Sequence, residues 1–301
     1  MVDTEARGRS GRLRIVSTPI GNLEDMGLRA LRVLRESAVV AAEDTRVTRR
    51  LFARHDIQTP LVSFHAHSGP GRVEALLERL RAGEDVALVS DAGTPCVSDP
   101  GGELVSAAIA SGIVVEPVPG PSAVLAALVA SGIDPTRFVF EGFLPRTNDR
   151  RERINGIAVE QRTIVFYESA LRLGDTLRDL AEACGGHRQA CVARELTKLH
   201  EEFVRGSLDA LQERFEARPA RGECVIVLEG GDGTCRPPEA LDVDGLLRSA
   251  IARGLSAKDA ARDVARSTGL GRRECYARAV RFVREDPSAE EPAREGTKDE
   301  P

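Results

Sequence analysis

Several stretches of this chain bring together residue types that could hold a charged small molecule or move a proton. In Ser90–Gly102, SDAGTPCVSDPGG, Asp91 leaves an apolar run, and Gly93, Pro95, Pro100, Gly101 and Gly102 shape a long loop. One carboxylate among exposed amides suits a ligand with a cationic group and several hydrogen-bonding groups, such as the amino-acid part of S-adenosylmethionine. Asp91 with Asp99 also admits a magnesium reading, but no third acid lies nearby in sequence, and no metal is expected. In Ala41–Arg50, AAEDTRVTRR, Glu43 and Asp44 precede Arg46, Arg49 and Arg50. Such a cluster serves proton transfer and phosphate contact, or it forms ion pairs on a solvated helix that Asp44 caps. RELTKLHEE places Arg194, Glu195, Lys198, His200 and Glu201 in one short connection, dense for a structural turn.

Two small-residue turns could bring backbone close to a ligand: STPIGN, Ser17–Asn22, and PGPSA, Pro119–Ala123, with Ser122 near a helix start. Neither matches the glycine fingerprint of dinucleotide folds or the phosphate loop. FYES, Phe166–Ser169, stands apart as a further motif, and LPRTNDRRERI, 144–154, carries Arg146, Arg150, Arg151 and Arg153. The latter reads as an arginine loop for phosphate contact or as a solvated helix.

Most of these motifs follow short β-branched runs, which read as strands at 13–18, 38–43, 61–65, 85–90 and 114–118 and, further on, at 138–143, 163–168, 189–194, 201–206 and 223–229. Several of the first five are continuously apolar, as strands covered on both faces are. Helical patterns lie between them, at Leu28–Leu34, Val73–Leu80, Leu104–Ile109, Ala123–Val129 and Leu171–Ala183. The alternation predicts an α/β fold with mainly parallel sheet and ligands at the carboxyl ends of the strands. Ten strands are many for one open sheet. The PGPS turn and the helix after it read as the bridge between two α/β domains. The second is more mixed, since 189–194 and 201–206 are joined closely enough for an antiparallel pair.

Composition adds limits. No window is long and apolar enough for a membrane span, and the first dozen residues lack the apolar stretch of a secretory signal, so a cytoplasmic protein is expected. The six cysteines form no zinc-like spacing and read as reduced thiols. The formal charge of −5 arises in the acidic segment from Glu285 onward, leaving residues 1–284 neutral overall. Within them 242–284 is basic and patterned as short helices around Gly269 and Gly271, with Ser256 as an N-cap. That pattern fits a helix-turn-helix contacting nucleic acid or a plain structural cap.

IVSTPIGNLEDM, AAEDTRVTRRL, SDAGTPCVSDPG, VPGPSAVLAAL, FYES, RELTKLHEE and GECVIVLEGG occur in that order, and together they resemble the bacterial small-subunit ribosomal RNA methyltransferases of the tetrapyrrole methylase superfamily. The resemblance covers about 13–232, and 242–284 is similar to that group's C-terminal helix-turn-helix. One departure is Ala170, where proline often follows FYES. The resemblance implies an α/β domain at 13–119, a second at 120–232 with the cofactor cleft between them and a helical domain at 242–286, while the Pro, acid and small residues of 287–301 predict a disordered acidic tail. It implies S-adenosylmethionine as cofactor, held by Pro19, Ile20, Gly21, Asp91, Gly93, Thr94, Ser122, Ala123 and Tyr167. The implied reaction is 2′-O-methylation of a cytidine in the decoding region of 16S rRNA, on the small ribosomal subunit, by a homodimer.

Removing the ribose proton calls for a positioned base. Glu43, Asp44, Glu195, Lys198 and His200 are candidates, with Glu43 and Lys198 preferred; a lysine would need burial to lower its pKa. Arg46, Arg49, Arg146, Arg150, Arg151 and Arg194 are expected to contact RNA. The same frame would also serve a C-methyltransferase of tetrapyrrole precursors, and the C-terminal helices alone would suit a non-enzymatic nucleic-acid-binding regulator. AAEDTR and RELTKLHEE favour the RNA enzyme over the first. The long two-domain body argues against the second.

Overall fold

The computed structural model describes residues 10–147, 149–233, 243–268 and 272–285. All ten expected strands form among them. The first part of the chain runs β1 (Leu13–Val16), α1 (Leu28–Glu36), β2 (Val39–Ala42), α2 (Thr45–Arg54), β3 (Leu61–Ser63), α3 (Pro70–Arg81), β4 (Val86–Val89), α4 (Gly102–Ala110) and β5 (Val115–Val118). Its five strands pair in the order β3-β2-β4-β1-β5, all parallel. Successive residues of a strand face opposite sides. Val40, Ala42, Ala87 and Val89 pack with Val33, Leu34, Leu51 and Phe52 of α1 and α2. Val39, Ala41, Val86 and Leu88 pack with Leu76, Leu80, Leu104 and Ala108 of α3 and α4. A sheet buried on both faces needs apolar residues throughout, which explains the unbroken runs.

The order reverses between β1 and β4, so the loops leaving those two neighbours open a crevice where ligands of such sheets bind. After β5 the chain enters α5 (Ala123–Ser131), whose Val124, Ala127 and Leu128 pack on the second sheet. That sheet comprises β6 (Phe138–Phe143), β7 (Thr163–Ser169), β8 (Gln189–Arg194), β9 (Glu202–Ser207) and β10 (Glu223–Leu228), in the order β6-β7-β10-β8-β9. Only β6 and β7 are parallel; the other three pairings are antiparallel, including the β8–β9 pair expected from its short connection. Helices α7 (Leu173–Cys184) and α8 (Leu208–Ala217) pack on each other.

Both sheets lie in one compact unit, formed by the described residues up to Leu144 with Glu160–Gly231. A second unit combines 145–159 with the described residues from Asp232 on. It holds α6 (Asp149–Val159), α9 (Val243–Ala252), α10 (Ala257–Thr268) and α11 (Arg272–Glu285). Leu247, Ala250, Ala260, Ala261, Cys275 and Ala279 make the core of the last three helices. Ser256 caps α10 as its sequence predicts, its Oγ accepting the Asp259 amide at 3.1 Å. The Gly269–Gly271 turn and the acidic tail at 287–301 lie outside the described residues. No helix among the described residues is long and apolar enough to cross a membrane.

Candidate functional site

A cleft of about 460 Å³ opens where the strand tips of the two sheets converge. The first sheet contributes Ile20 after β1, Glu43 after β2, Asp91–Thr94 and Val97–Asp99 after β4, and Ser122 and Ala123 at the start of α5. The second contributes Phe143, Tyr167–Ser169, Glu195, Leu196, Lys198 and Gly222–Val225. The volume lies in the range of about 300–1,000 Å³ usual for small-molecule and cofactor sites.

The floor is tied together by backbone. Thr18 N donates to Gly93 O at 2.8 Å and Gly93 N donates to Thr18 O at 3.0 Å, clasping the loops after β1 and β4. Gly93 sits at φ +80°, a conformation that disfavours any side chain. The tips of β2 and β4 are joined by side chains: Asp91 N donates to Glu43 Oε2 at 3.3 Å, and Asp44 N donates to Asp91 Oδ1 at 2.9 Å. Thr94 Oγ1 donates to Pro121 O at 3.2 Å and lies 3.1 Å from Ser17 Oγ, so this hydroxyl braces the loop. Ser122 is the N-cap residue of α5 but its hydroxyl makes no cap bond, which leaves it available to a ligand.

The electrostatics are acidic. Burial raises the Asp91 pKa, although the Asp44 amide opposes the shift. Burial pushes Asp99 up to about 6; the Ser90 hydroxyl opposes this, while Glu43 and Asp91 add repulsion. Tyr167 packs against Phe140 and Phe143, with ring centroids 5.0 and 5.3 Å away, and burial together with Asp99 pushes its phenol up to about 12. Among the described residues no group of three or more His, Cys, Asp or Glu side chains could hold a metal ion.

The turn after β8 corrects one expectation. Burial draws the Lys198 pKa down, but hydrogen bonds from Nζ to Glu195 Oε1 at 3.0 Å and Glu223 Oε2 at 3.2 Å outweigh it, and the net shift is upward. Lys198 therefore keeps its proton, contrary to the role of base expected of it. The turn is strained, with Glu195 at φ +49° and Thr197 at φ +64°. Gly222 makes room for it: a Cβ there would lie 1.9 Å from Glu195 Oε1.

Seven of the nine expected donor contacts line the cleft: Ile20, Asp91, Gly93, Thr94, Ser122, Ala123 and Tyr167. Pro19 and Gly21 do not. Pro19 is buried, and a Cβ at Gly21 would fall 2.6 Å from Lys198 Cγ, so Gly21 lets the loop after β1 close on the 195–198 turn. Glu43 and Lys198 both line the cleft, as does Glu195; Asp44 and His200 do not. Asp44 caps α2 by accepting the Arg46 amide, as its sequence predicts, and hydrogen bonds from Arg46 hold its carboxyl down at about 2.

Of the arginines, Arg46 is 84% exposed and pairs with Asp44 at 2.6 Å. Arg49 is exposed on α2, and Arg194 pairs with Glu202 at 2.6 Å. Arg150 and Arg151 lie on α6 and Arg146 just precedes it, all in the second unit. The segment expected as either an arginine loop or a helix is helical from Asp149, anchored by buried Ile154, Ile157 and Ala158.

Sequence reasoning passed over Glu168 of FYES. It is 1% exposed, paired with Arg172 Nη2 at 2.6 Å and accepting from Thr176 Oγ1 at 2.7 Å. Gly222–Val225, the start of the GECVIVLEGG motif, were given no site role in sequence and reach the cleft because β10 lies between β7 and β8.

Comparison with known proteins adds identity to this geometry. Residues 12–212 match the family described as Tetrapyrrole (Corrin/Porphyrin) Methylases, and residues 237–281 match the RsmI C-terminal HTH domain. Ribosomal RNA small subunit methyltransferase I of Synechocystis sp. is 46% identical over 268 residues, covering 88% of this chain and 96% of its own. The protein of the same name from Thermotoga maritima is 47% identical over 220 residues, covering 73% and 99%. Among solved structures, a uroporphyrin-III C-methyl transferase from Thermus thermophilus complexed with S-adenyl homocysteine aligns with TM-score 0.53 at 23% identity, over 73% of this chain and 97% of that one. At that identity the likeness is one of fold.

Proposed function

The chain belongs to the tetrapyrrole methylases, and from that membership we propose that it transfers a methyl group from S-adenosylmethionine to the ribose 2′-hydroxyl of a cytidine in the decoding region of bacterial 16S rRNA, within the small ribosomal subunit. The observation that carries the reading is the cleft, where loops from both sheets bring Ile20, Asp91, Ser122 and Tyr167 together. The RNA substrate rests on relatives at 46% and 47% identity that bear that name.

The residues fit the donor. The unpartnered Oδ2 of Asp91 accepts from a cationic ammonium, the Ser122 hydroxyl supplies a further hydrogen bond, and Ile20, Leu196 and Tyr167 give an apolar wall that keeps water out. S-adenosylmethionine supplies a methyl group already activated on a sulfonium, so what the chain adds is alignment. Glu43 uses Oε2 to hold the Asp91 amide and keeps Oε1 as the acceptor for the ribose proton. Lys198, held protonated between two carboxylates, orients the acceptor oxygen as a hydrogen-bond donor. Arg46, Arg49 and Arg194, with Arg146, Arg150 and Arg151 of the second unit, contact RNA phosphates. The protein works in the cytoplasm as a homodimer; α5 leaves Leu125 52% and Val129 75% exposed in the single chain, and light scattering measures the assembly.

Tritiated methyl transfer to small subunits from a strain lacking the gene tests this function. Label recovered in 2′-O-methylcytidine is expected. Label in another nucleoside, or none, overturns the reading.

A further inference from the structure

The loop between β3 and α3 presents two imidazoles beside the cleft, and neither the family reading nor the donor site accounts for them. Strands β2 and β3 are neighbours, with Phe64 N donating to Ala42 O at 2.7 Å, so the chain leaving β3 emerges next to Glu43 and Asp44. The four residues that follow form a closed turn. His65 N donates to Ser68 Oγ at 2.9 Å, Ser68 N donates to His65 O at 2.8 Å, and His67 N donates to His65 Nδ1 at 3.2 Å. His65, Ala66 and His67 are all exposed, so these bonds organise surface and contribute nothing to the core.

The last bond also fixes the chemistry of His65. A ring nitrogen that accepts an amide carries no proton, so the neutral imidazole bears its hydrogen on Nε2, which has no partner among the described residues. The His67 ring stands 6.2 Å from that of His65 at 61°. On α2, which packs against β3, Arg49 and Arg50 are exposed with no ion pair among the described residues, while the Asp44 carboxylate is already taken by Arg46. The rim thus offers two free guanidiniums, a fixed N–H donor and two aromatic faces. That combination matches single-stranded RNA, whose phosphates take arginine and whose unstacked bases lie against aromatic rings.

We propose that the His65–His67 turn, with Arg49 and Arg50, is an RNA-contact surface that holds the nucleotides flanking the target so that its sugar reaches the cleft. The proposal rests on the RNA reading given above. It assigns His65 and His67 to positioning of the substrate, outside the chemical step.

The test is steady-state methyl transfer to unmethylated small subunits by the full chain, with S-adenosylmethionine affinity measured by calorimetry on the same samples. For His65→Ala/His67→Ala the KM for subunits is expected to rise by about tenfold or more, the loss usual for hydrogen bonds to charged groups, with kcat within about twofold and donor affinity unchanged. His65→Asn separates the turn from the contact, because its Oδ1 can still accept the His67 amide while the aromatic ring and the N–H at the far Nε2 position are lost. A KM raised as in the double variant supports the contact. A wild-type KM in either variant overturns the proposal, as does a parallel loss of donor affinity, which would mark the turn as a support of the cleft. An inactive wild type would instead count against the RNA reading itself.

Discussion

Replacing Asp99 by asparagine should make the protein more stable, and only at pH values where the carboxyl is charged. Its folded pKa of about 6 stands against an ordinary value of 3.8, a difference of about two units. At about 1.4 kcal/mol per unit this amounts to roughly 3 kcal/mol of native-state destabilisation if all of it were realised. Asp99 is only half-buried, and screening by solvent takes at least half, leaving about 1–1.5 kcal/mol. The native state binds this proton more tightly than the unfolded chain. The destabilisation is therefore absent below about pH 4, grows as pH rises to 6, and is complete above it. Asp99→Asn should raise the urea midpoint of the two-sheet unit at pH 8 and converge with wild type at pH 4. An equal gain at both pH values, or no gain at pH 8, would refute the reasoning. The variant should bind S-adenosylmethionine more weakly, because it removes a negative charge from the lining of the cleft that would take up a cationic donor. For the same reason wild-type donor affinity should fall as pH drops through about 6, and the variant's should not, as titration calorimetry across that range will show.

Asp91→Ala should lower donor affinity by about ten- to a hundredfold, the loss of one charge-assisted hydrogen bond, and unchanged affinity by calorimetry would remove Asp91 from the site. Glu168→Gln should cost about 2–4 kcal/mol in thermal unfolding, since it leaves Arg172 facing a buried neutral group; a midpoint equal to wild type would deny the pair any structural role. Gly222→Ala should displace Glu195 and with it Lys198, lowering kcat by at least about tenfold while the far-ultraviolet dichroism stays the same. Arg272→Glu/Arg273→Glu reverses two exposed charges on α11 and should weaken gel-shift binding to small subunits without altering donor affinity; equal shifts would leave that helix a structural cap.

The fold was legible because its signals are local. A strand buried on both faces must be apolar throughout, as β2 and β4 are, and the short β8–β9 connection left few options besides an antiparallel pair. Helix α8 was passed over although its signals are equally local: Leu208, Leu211 and Phe215 fall on one face behind the N-cap Ser207. In the site, the loop motifs were legible by residue type, but roles that depend on neighbours were not. Lys198 looks like a base until Glu195 and Glu223 are seen to hold its proton, and Glu223 lies 25 residues away in sequence. In sequence Asp99 reads only as a metal ligand, since the repulsion it feels comes partly from Asp91 on its own loop and partly from Glu43 on a separate one, and its burial shows only in the fold. Gly21 looks like a donor contact by motif, whereas the space it vacates is taken by a turn of the other sheet.

The paired amides of Thr18 and Gly93 have a consequence for how such a frame can diversify. A clasp made of peptide groups is the same whatever side chains flank it, so point substitution has little purchase on that half of the cleft. The rim contributed by the second sheet is made of side chains such as Phe143, Glu195 and Lys198, each open to point substitution. Substitutions on that rim can in this way change what the cleft admits while the peptide clasp stays put.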